Sequence, residues 1–381
     1  MKEWVIIGGG IQGCTAATYL IKHNIVSIHD LMIIDPHEEP LMEWKWRTKQ
    51  IGMEFLRSPS VHHIDVNPYS LQKYAKSKNL SERFFGPYKR PGLQLFNDHS
   101  EEILKEVEMN KAWLKGTAKK IKRINEGWEI QLSSERIIIC KHLILALNIA
   151  ECTEIPSSLK ENNHCYHVFD PRLDVTTIPL PVTVVGGGIT AAHLVIKLAS
   201  MYPGKVTLQM RHSFRVKDFD SDPGWLGPKL LTDFHKLDSD QRRREVIQQA
   251  RNRGSVTGEL YRKVKRLIQD RKLSLQLIEN DERESIDKEG TTIFATGFQY
   301  RLKQKAILSH LIQAENLPCS ECGYPLVSEG LEWAPCLHVM GALAELEIGP
   351  IARNISGARH AAERIVNVHK LNRNRYEYKE G

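Results

Sequence analysis

"PVTVVGGGITAAHL", residues Pro181–Leu194, has the pattern of a buried strand, a glycine-rich turn and the start of a helix. The same pattern occurs near the N-terminus, where "EWVIIGGGIQGCTAATYL" spans Glu3–Leu20. A glycine-rich turn between a strand and a helix is the phosphate-binding element of dinucleotide-binding folds. Because one such turn serves one dinucleotide, the doubled pattern predicts two dinucleotide sites.

The N-terminal pattern carries a complete fingerprint. Gly8, Gly10 and Gly13 stand in Gly-x-Gly-x-x-Gly spacing directly after the predicted strand. In this motif the first glycine permits the tight turn, the second lets the backbone approach the pyrophosphate, and the third lets helix and strand pack closely. The next predicted strand, "DLMIIDP", ends in Asp35, whose carboxylate can accept hydrogen bonds from an adenosine ribose. We therefore predict a bound dinucleotide at this turn.

The second pattern differs at the residues that select the nucleotide. Gly186, Gly188 and Ala191 give Gly-x-Gly-x-x-Ala, and the following strand, "KVTLQMR", ends in Arg211 with no acid at the ribose position. A carboxylate there would repel a 2′-phosphate, whereas a guanidinium can pair with it through two hydrogen bonds. This favours NADPH as the second nucleotide. The alternative is that Arg211 is only a solvated residue at the end of a strand.

The first site is assigned to FAD because the C-terminal segment is expected to complete it. Gly341 follows a predicted strand, and Gly349 with Pro350 is expected to start a helix whose N-terminus faces the flavin. Trp46 and Arg47 are candidates for covering the flavin and its pyrophosphate. The alternative for these two residues is that they pack a loop onto the domain.

The composition is that of a soluble globular protein with room for two domains. The chain has 381 residues, of which 41% are hydrophobic and 26% charged. Its net charge of +7 is spread along the sequence, which suits two polyanionic cofactors and predicts no nucleic-acid partner. No apolar run is long enough for a membrane helix, and we expect no signal peptide because a strand is predicted to begin close to Met1. With seven cysteines, an odd number, we expect reduced thiols in the cytoplasm and no membrane partner.

These patterns together predict an α/β fold with two Rossmann-like dinucleotide-binding domains. The FAD-binding domain is expected to be discontinuous, covering residues 1–175 and 299–381, with an NADPH-binding domain inserted at residues 176–298. Outside the two fingerprints, "SEEILKEVEMN" predicts a helix with Ser100 as its N-cap.

Five stretches resemble a known family when taken with the doubled fingerprint. They are "FATGF" (Phe294–Phe298), "WKWRTKQIGMEFLRSP", "NPYSLQKYAK", "DFDSDPGWLGPKLLTDF" and "RNRGSVTGELYRKV". The chain is similar over nearly its whole length to the flavin-dependent N-hydroxylating monooxygenases, which act on ornithine, lysine or related amines, and to the related flavin-containing monooxygenases. The family's Ala-Thr-Gly sequence is present at Thr296 and Gly297, which become expected cofactor contacts. At the corresponding position of the first unit, "LALNIA" has Asn148 where glycine is usual.

The resemblance implies that NADPH reduces FAD and that a flavin C4a-hydroperoxide then oxygenates an amine nitrogen. The expected partners are a small-molecule substrate and O₂, and a homo-oligomer is compatible with the sequence. No catalytic side chain is assigned, because the flavin carries the difficult chemistry.

Two alternative functions remain open. One is an NADPH-dependent flavin reductase of a disulfide or quinone, for which Cys319 and Cys322 would be the redox pair. The other is a non-catalytic sensor that binds flavin and nucleotide. No metal site is expected at the Cys-x-x-Cys sequence, because only Cys336 is nearby and a second pair is missing.

Overall fold

The computed structural model describes residues 1–152, 164–278, 290–300, 302 and 305–380. Two β-sheets form its centre, and helices cover them. The strands are β1 (Lys2–Ile7), β2 (Leu31–Asp35), β3 (Phe84–Phe85), β4 (Arg90–Pro91), β5 (Trp113–Lys115), β6 (Ala118–Ile124), β7 (Gly127–Leu132), β8 (Ile137–Leu145), β9 (Ala150–Cys152), β10 (Cys165–His167), β11 (Val182–Val185), β12 (Val206–Met210), β13 (Arg215–Val216), β14 (Ser255–Val256), β15 (Ser274–Leu277), β16 (Thr291–Phe294), β17 (Phe298–Tyr300), β18 (Glu332–Ala334) and β19 (Leu337–Val339). The helices are α1 (Ile11–Lys22), α2 (Met42–Ile51), α3 (Ser70–Ser77), α4 (Leu93–Glu106), α5 (Ile189–Met201), α6 (Pro228–His235), α7 (Asp240–Ala250), α8 (Gly258–Gln269), α9 (Ala306–Glu315), α10 (Glu345–Ile348) and α11 (Ile355–Glu380).

The first sheet has the strand order β18-β19-β8-β1-β2-β5, and the hairpin of β6 and β7 joins it through β8. Strands β19, β8, β1, β2 and β5 are parallel. All four residues from Trp4 to Ile7 in β1 are buried, which is the pattern of a central strand covered on both faces. Helices α1 and α11 pack against each other.

This sheet is built from two distant parts of the chain, because β18 and β19 return from the C-terminal region to pair with β8. The amide of Gln12 in α1 donates hydrogen bonds to the carbonyls of Ala352 and Asn354. The predicted discontinuous arrangement is therefore confirmed.

The second sheet has the order β10-β16-β11-β12-β15, and all its strand pairs are parallel. Two parallel sheets, each with a strand–turn–helix fingerprint, confirm the predicted fold class of two Rossmann-like units. Strand β10 already belongs to the second sheet, although it precedes the expected boundary at residue 175. The domain limits themselves remain a prediction.

Two predicted helix starts are wrong. Helix α4 begins at Leu93, and Ser100 lies within it, where its hydroxyl donates to the carbonyl of Phe96 instead of capping a terminus. Gly349 has φ +84° and ends the short helix α10, so the long helix begins at Ile355 and not at Pro350. Ser100 thus lies in the interior of a helix that starts seven residues earlier, and Gly349 marks the end of a short helix instead of the start of the long one.

Among the described residues, no helix has the combined length and apolar character that crossing a membrane requires.

Candidate functional site: two dinucleotide cradles

The first predicted dinucleotide site, which we call the first cradle, is the turn between β1 and α1 with Gly8, Gly10 and Gly13, together with Asp35 at the end of β2. Gly8 has φ +108°, and a Cβ atom there would lie 2.5 Å from the carbonyl oxygen of Ala146. A Cβ atom on Gly13 would lie 1.8 Å from the carbonyl oxygen of Gly8. Both positions therefore require glycine for close backbone packing and for the tight turn.

Gly10, unlike Gly8 and Gly13, has open space where a side chain would lie. A Cβ atom placed on it would meet no atom of the protein within 4 Å, and its φ of −78° is accessible to any residue. Gly10 is the N-cap of α1, whose first turn contains no acidic side chain. The N-terminus of a helix beside open backbone fits a pyrophosphate, because the unpaired N–H groups and the helix dipole both favour an anion.

Asp35 lies at the end of β2, beside this turn. Its side chain is buried, and one carboxylate oxygen accepts a 2.7 Å hydrogen bond from the Gly9 backbone N–H. The other oxygen accepts a 2.9 Å bond from the backbone N–H of His37. Nδ1 of His37 lies 2.8 Å from this second oxygen as well. These bonds fix the carboxylate at the ribose position, and the oxygen bonded to Gly9 keeps a lone pair for a further donor.

Trp113, which the sequence analysis did not identify, forms a wall of the same turn. A Cβ atom on Gly9 would lie 2.0 Å from the indole, and the indole N–H donates to the carbonyl of His37. Trp113 belongs to β5, which pairs with β2. Only that strand pairing brings it to the turn, so no local sequence signal could have indicated it.

The C-terminal segment reaches the first cradle through Gly341. This residue has φ +64°, and a Cβ atom there would approach the side chain of Gln12 to 3.4 Å. Gly349 lies elsewhere, because a Cβ atom on it would meet Leu231 at 3.3 Å and Phe234 at 3.7 Å. The structure thus brings Gly341 to the fingerprint and packs Gly349 towards α6.

Trp46 and Arg47 in α2 face the second unit. The Arg47 guanidinium lies over the rings of Phe169 and Phe298, at 5.1 and 5.2 Å from their centroids. The ring centroid of Trp46 is 6.2 Å from that of Phe169. The side chains therefore pack onto the residues that follow β10 and the "FATG" strand end, and a contact with flavin stays a prediction.

The second cradle repeats the geometry of the first. Gly186 has φ +149°, and a Cβ atom there would lie 2.5 Å from the carbonyl oxygen of Ala295. Gly188 is the N-cap of α5, and a Cβ atom on it would meet only backbone atoms of Gly254, the nearest at 3.5 Å. Ala191 is buried in the first turns of α5, where the small side chain keeps helix and strand close.

A cavity of about 670 Å³ opens from this second turn. Thr296 and Gly297 line it, as does Arg211, whose side chain is exposed. Five arginines line the cavity against a single acidic side chain, Asp220. They are Arg57, Arg211, Arg215, Arg251 and Arg253. This excess of positive charge suits a polyphosphate ligand.

Arg211 is the only one of these arginines that the sequence analysis identified. The others come from three separate segments that the fold gathers around the turn. Isolated basic residues in loops carry no periodic signal, so the sequence alone could not distinguish them from solvated surface charges.

Arg57 connects this cavity with the segments around the first cradle. Its guanidinium pairs with Asp220 at 2.7 Å and donates to the backbone carbonyls of Lys217 and Phe219. It also lines a smaller cavity, which extends to Asn354 beside the Gln12 contact. Arg57 thus lines both the arginine-lined cavity and the smaller one.

The smaller cavity has polar walls. Besides Arg57 and Asn354, these walls include His62, Asp220 and Asp222. Burial, together with the positive charge of Arg359, lowers the pKa of His62 to about 4. The imidazole is therefore neutral at pH 7. Because Asp220 is paired with Arg57, Asp222 is the carboxylate of this cavity that can attract a cation.

Comparison with known proteins agrees with this geometry. Residues 5–149 match the family model described as FAD-NAD(P)-binding. Residues 101–313, more than half of the chain, match the model described as L-lysine 6-monooxygenase/L-ornithine 5-monooxygenase. No curated protein sequence matches the chain significantly.

Solved structures show the same fold at low sequence identity. The ornithine N-hydroxylase of Kutzneria sp. 744 has a TM-score of 0.75 and 15% identity over 98% of this chain and 100% of that one. The cadaverine monooxygenase of Erwinia amylovora, solved with FAD, has a TM-score of 0.74 and 13% identity over 97% and 94% of the two chains. The bacillithiol disulfide reductase of Bacillus cereus has a lower TM-score of 0.60 and 15% identity over 97% and 99%.

The FAD-NAD(P)-binding model covers the first cradle, and the monooxygenase model covers the second cradle and four of the five arginines of the cavity. The chain therefore belongs to the L-lysine 6-monooxygenase/L-ornithine 5-monooxygenase family, whose members are FAD- and NADPH-dependent oxidoreductases that hydroxylate amine nitrogens.

Proposed function

We propose that this chain N-hydroxylates a small aliphatic primary amine, with NADPH as the reductant and O₂ as the co-substrate. The observation that carries the proposal is the pair of equivalently built cradles, one ending in Asp35 and the other in Arg211. Bound FAD would supply the chemistry that links a hydride donor to O₂.

For FAD, we assign the first cradle. The backbone at Gly10 and the N-terminus of α1 would bind the pyrophosphate, and Asp35 would accept hydrogen bonds from the adenosine ribose. Gly341 would allow the C-terminal segment to approach closely, and Gln12 would hold that segment in place. Trp46 and Arg47 would act as a wall between the two nucleotides.

For NADPH, we assign the arginine-lined cavity. Arg211 follows β12 at the ribose position of the second fingerprint, where its guanidinium would pair with the 2′-phosphate. Thr296 and Gly297 follow β16 at the edge of the sheet where parallel strands bind nucleotides. We propose them as further cofactor contacts.

For the ammonium end of the amine, we assign the smaller cavity, whose volume of about 40 Å³ admits a terminal group and not the whole molecule. An alkylammonium group is a cation, and the carboxylate of Asp222 supplies the charge that would attract it. His62 is neutral at pH 7 because burial lowers its pKa to about 4, so it adds no positive charge that would oppose the ammonium group. Ornithine, lysine and cadaverine, which the family description and the structural neighbours name, are the candidates for testing.

We further propose that the enzyme works in the cytoplasm. The cysteines that the structure describes are thiols and not disulfides, which suits a reducing compartment. A homo-oligomer is compatible with this function, and size-exclusion chromatography with light scattering would determine the state.

The amine site is tested by Asp222→Asn. Asn keeps the side-chain oxygen that accepts the Gly224 N–H bond at 2.7 Å, so the local turn should survive. Loss of the charge should raise KM for the amine by about 10-fold or more, with KM for NADPH unchanged. Asp233→Asn, on the exposed face of α6, is the matched control. An unchanged amine KM in Asp222→Asn would remove this cavity from the proposal.

A further inference from the structure

Three histidines converge on one face of the first sheet, remote in sequence from both fingerprints. His142 lies on β8, His338 on the neighbouring strand β19, and His369 on the covering helix α11. Nitrogen atoms of the three rings lie within 4.8 Å of one another. In the strand register His338 is opposite Ile144, and side chains two residues apart share a face, so His142 points to the same side.

The ring of His338 is oriented by a backbone group. Its Nδ1 lies 3.2 Å from the carbonyl oxygen of Gly330, which can only accept, so Nδ1 carries the hydrogen. Nε2 of His338 is then left with a free lone pair. An imidazole N–H that donates to a backbone carbonyl is the usual outer-sphere arrangement of a metal-binding histidine.

The rings of His142 and His369 have nitrogen atoms near Nε2 of His338. Nε2 of His369 lies 3.2 Å from Nε2 of His338. Nδ1 of His142 is buried and has no hydrogen-bond partner within the described part of the chain. An unpaired buried nitrogen is costly, and a shared cation would satisfy the His142 nitrogen while it replaced the hydrogen bond between His338 and His369.

We propose that His142, His338 and His369 form a binding site for one divalent transition-metal ion of the zinc type. Zn–N bonds of about 2.0–2.1 Å in tetrahedral geometry separate ligand nitrogens by about 3.3 Å. The 3.2 Å separation of the His338 and His369 nitrogens matches this value. His142, the more distant ligand, would complete the set by a small ring movement.

The site would be structural. His369 lies 14 residues beyond Ile355, the first residue of α11, which is about 21 Å along the helix at 1.5 Å per residue. The ion would therefore clamp the C-terminal helix to β8 and β19, away from the end of α11 that adjoins the first cradle. Trp4 supports the cluster, because its indole stacks on His142 at 4.5 Å and meets His369 edge-on at 4.7 Å.

Cobalt binding tests the proposal directly. The flavin-loaded enzyme is dialysed against EDTA, freed of chelator and titrated with Co²⁺, with visible absorption and calorimetry as readouts. We expect saturation at one Co²⁺ per chain, visible bands typical of a nitrogen-ligated ion, displacement by Zn²⁺, and a rise in Tm of at least about 2 °C with the metal.

Two variants and a control make the result specific. His369→Phe keeps an aromatic ring against Trp4 but removes a ligand, so it should retain its flavin and its metal-free Tm while losing Co²⁺ affinity at least about 10-fold. His369→Gln should lose the same affinity. His310→Gln, on the exposed face of α9, should bind Co²⁺ like the wild type. No saturable binding to the wild type, or unchanged binding to both His369 variants, would show that the cluster is only an aromatic core packed around Trp4.

Discussion

The backbone of Gly8 is in close contact with the carbonyl of Ala146, so that a Cβ atom on the glycine would lie 2.5 Å from that oxygen. Gly186 and Ala295 have the same relationship at the same distance. The register agrees, because Ile7 is opposite Leu145 in the first sheet and Val185 is opposite Phe294 in the second. The two halves are therefore two copies of one cradle, and "LALN" in the first occupies the place of "FATG" in the second.

The first prediction is that Gly10→Val yields a folded protein without flavin. A Cβ atom at position 10 meets no protein atom within 4 Å, so valine fits the fold but occupies the proposed place of the pyrophosphate. We expect FAD in fewer than about one in ten purified chains and a Tm equal to that of flavin-stripped wild type.

Gly8→Val is the contrasting variant for this test. There the side chain would clash with the Ala146 carbonyl at a φ of +108°, so the protein itself should fail to fold. Full flavin occupancy in a folded Gly10→Val protein would refute the assignment of the first cradle.

The second prediction concerns nucleotide choice. Arg211→Ala should lower kcat/KM for NADPH by about 10- to 150-fold, because one charge-assisted contact with the 2′-phosphate contributes about 1.5–3 kcal/mol. The value for NADH should change little. Arg266→Ala removes an exposed arginine that does not line the cavity and should leave both values unchanged. Equal losses for both nucleotides in Arg211→Ala would mean that the residue is structural.

The third prediction is loss of stability in mild acid. Burial lowers the pKa of His99, His193 and His338 to about 4 each, below the value near 6.5 of an unfolded histidine. The unfolded chain therefore binds protons first, and the stability present above pH 6.5 is lost as the pH falls towards 4. Each ring should contribute a loss of about 1–2 kcal/mol between pH 7.5 and pH 5.0.

Urea denaturation at the two pH values measures this loss. The free energy of unfolding should fall by several kcal/mol at pH 5.0, and His99→Gln should fall by less, because it removes one of the titrating rings. A free energy of unfolding that is equal at both pH values would contradict the buried, neutral state of these histidines.

The fourth prediction separates oxygenation from disulfide reduction. Cys319 and Cys322 are half-buried thiols in a turn that is fixed to β18 by the Trp333 indole, which donates to the Pro318 carbonyl at 2.7 Å. We expect anaerobic wild-type enzyme to consume one NADPH per FAD, with the same titration and reoxidation rate in Cys319→Ser/Cys322→Ser. Consumption of a second NADPH that disappears in the double variant would favour a reductase.

The features that the sequence predicted are those with local causes. The strand–turn–helix units show themselves by three signals: apolar runs, glycines at positions where the backbone packs too closely for a side chain, and strand-terminal residues such as Asp35 and Arg211. Each of these signals lies within a short stretch of chain, so both cradles and the discontinuous first sheet could be derived from them.

The features that the sequence missed depend on distant contacts. Trp113 reaches the first cradle through strand pairing, and Arg57 reaches the second through hydrogen bonds to a loop far along the chain. His142, His338 and His369 converge only when two strands and a helix are assembled. The start of the last helix was misplaced because Gly349 and Pro350 suit a helix start locally, whereas a further turn intervenes before Ile355.

The most direct test is to incubate the flavin-loaded enzyme with NADPH, ¹⁸O₂ and each of ornithine, lysine and cadaverine, and to analyse the products by mass spectrometry. Our account predicts that at least one amine accelerates NADPH oxidation and is converted to its hydroxylamine, carrying one ¹⁸O atom for each NADPH consumed. Oxidation of NADPH that yields only hydrogen peroxide with every amine, at a rate that no amine changes, would contradict it.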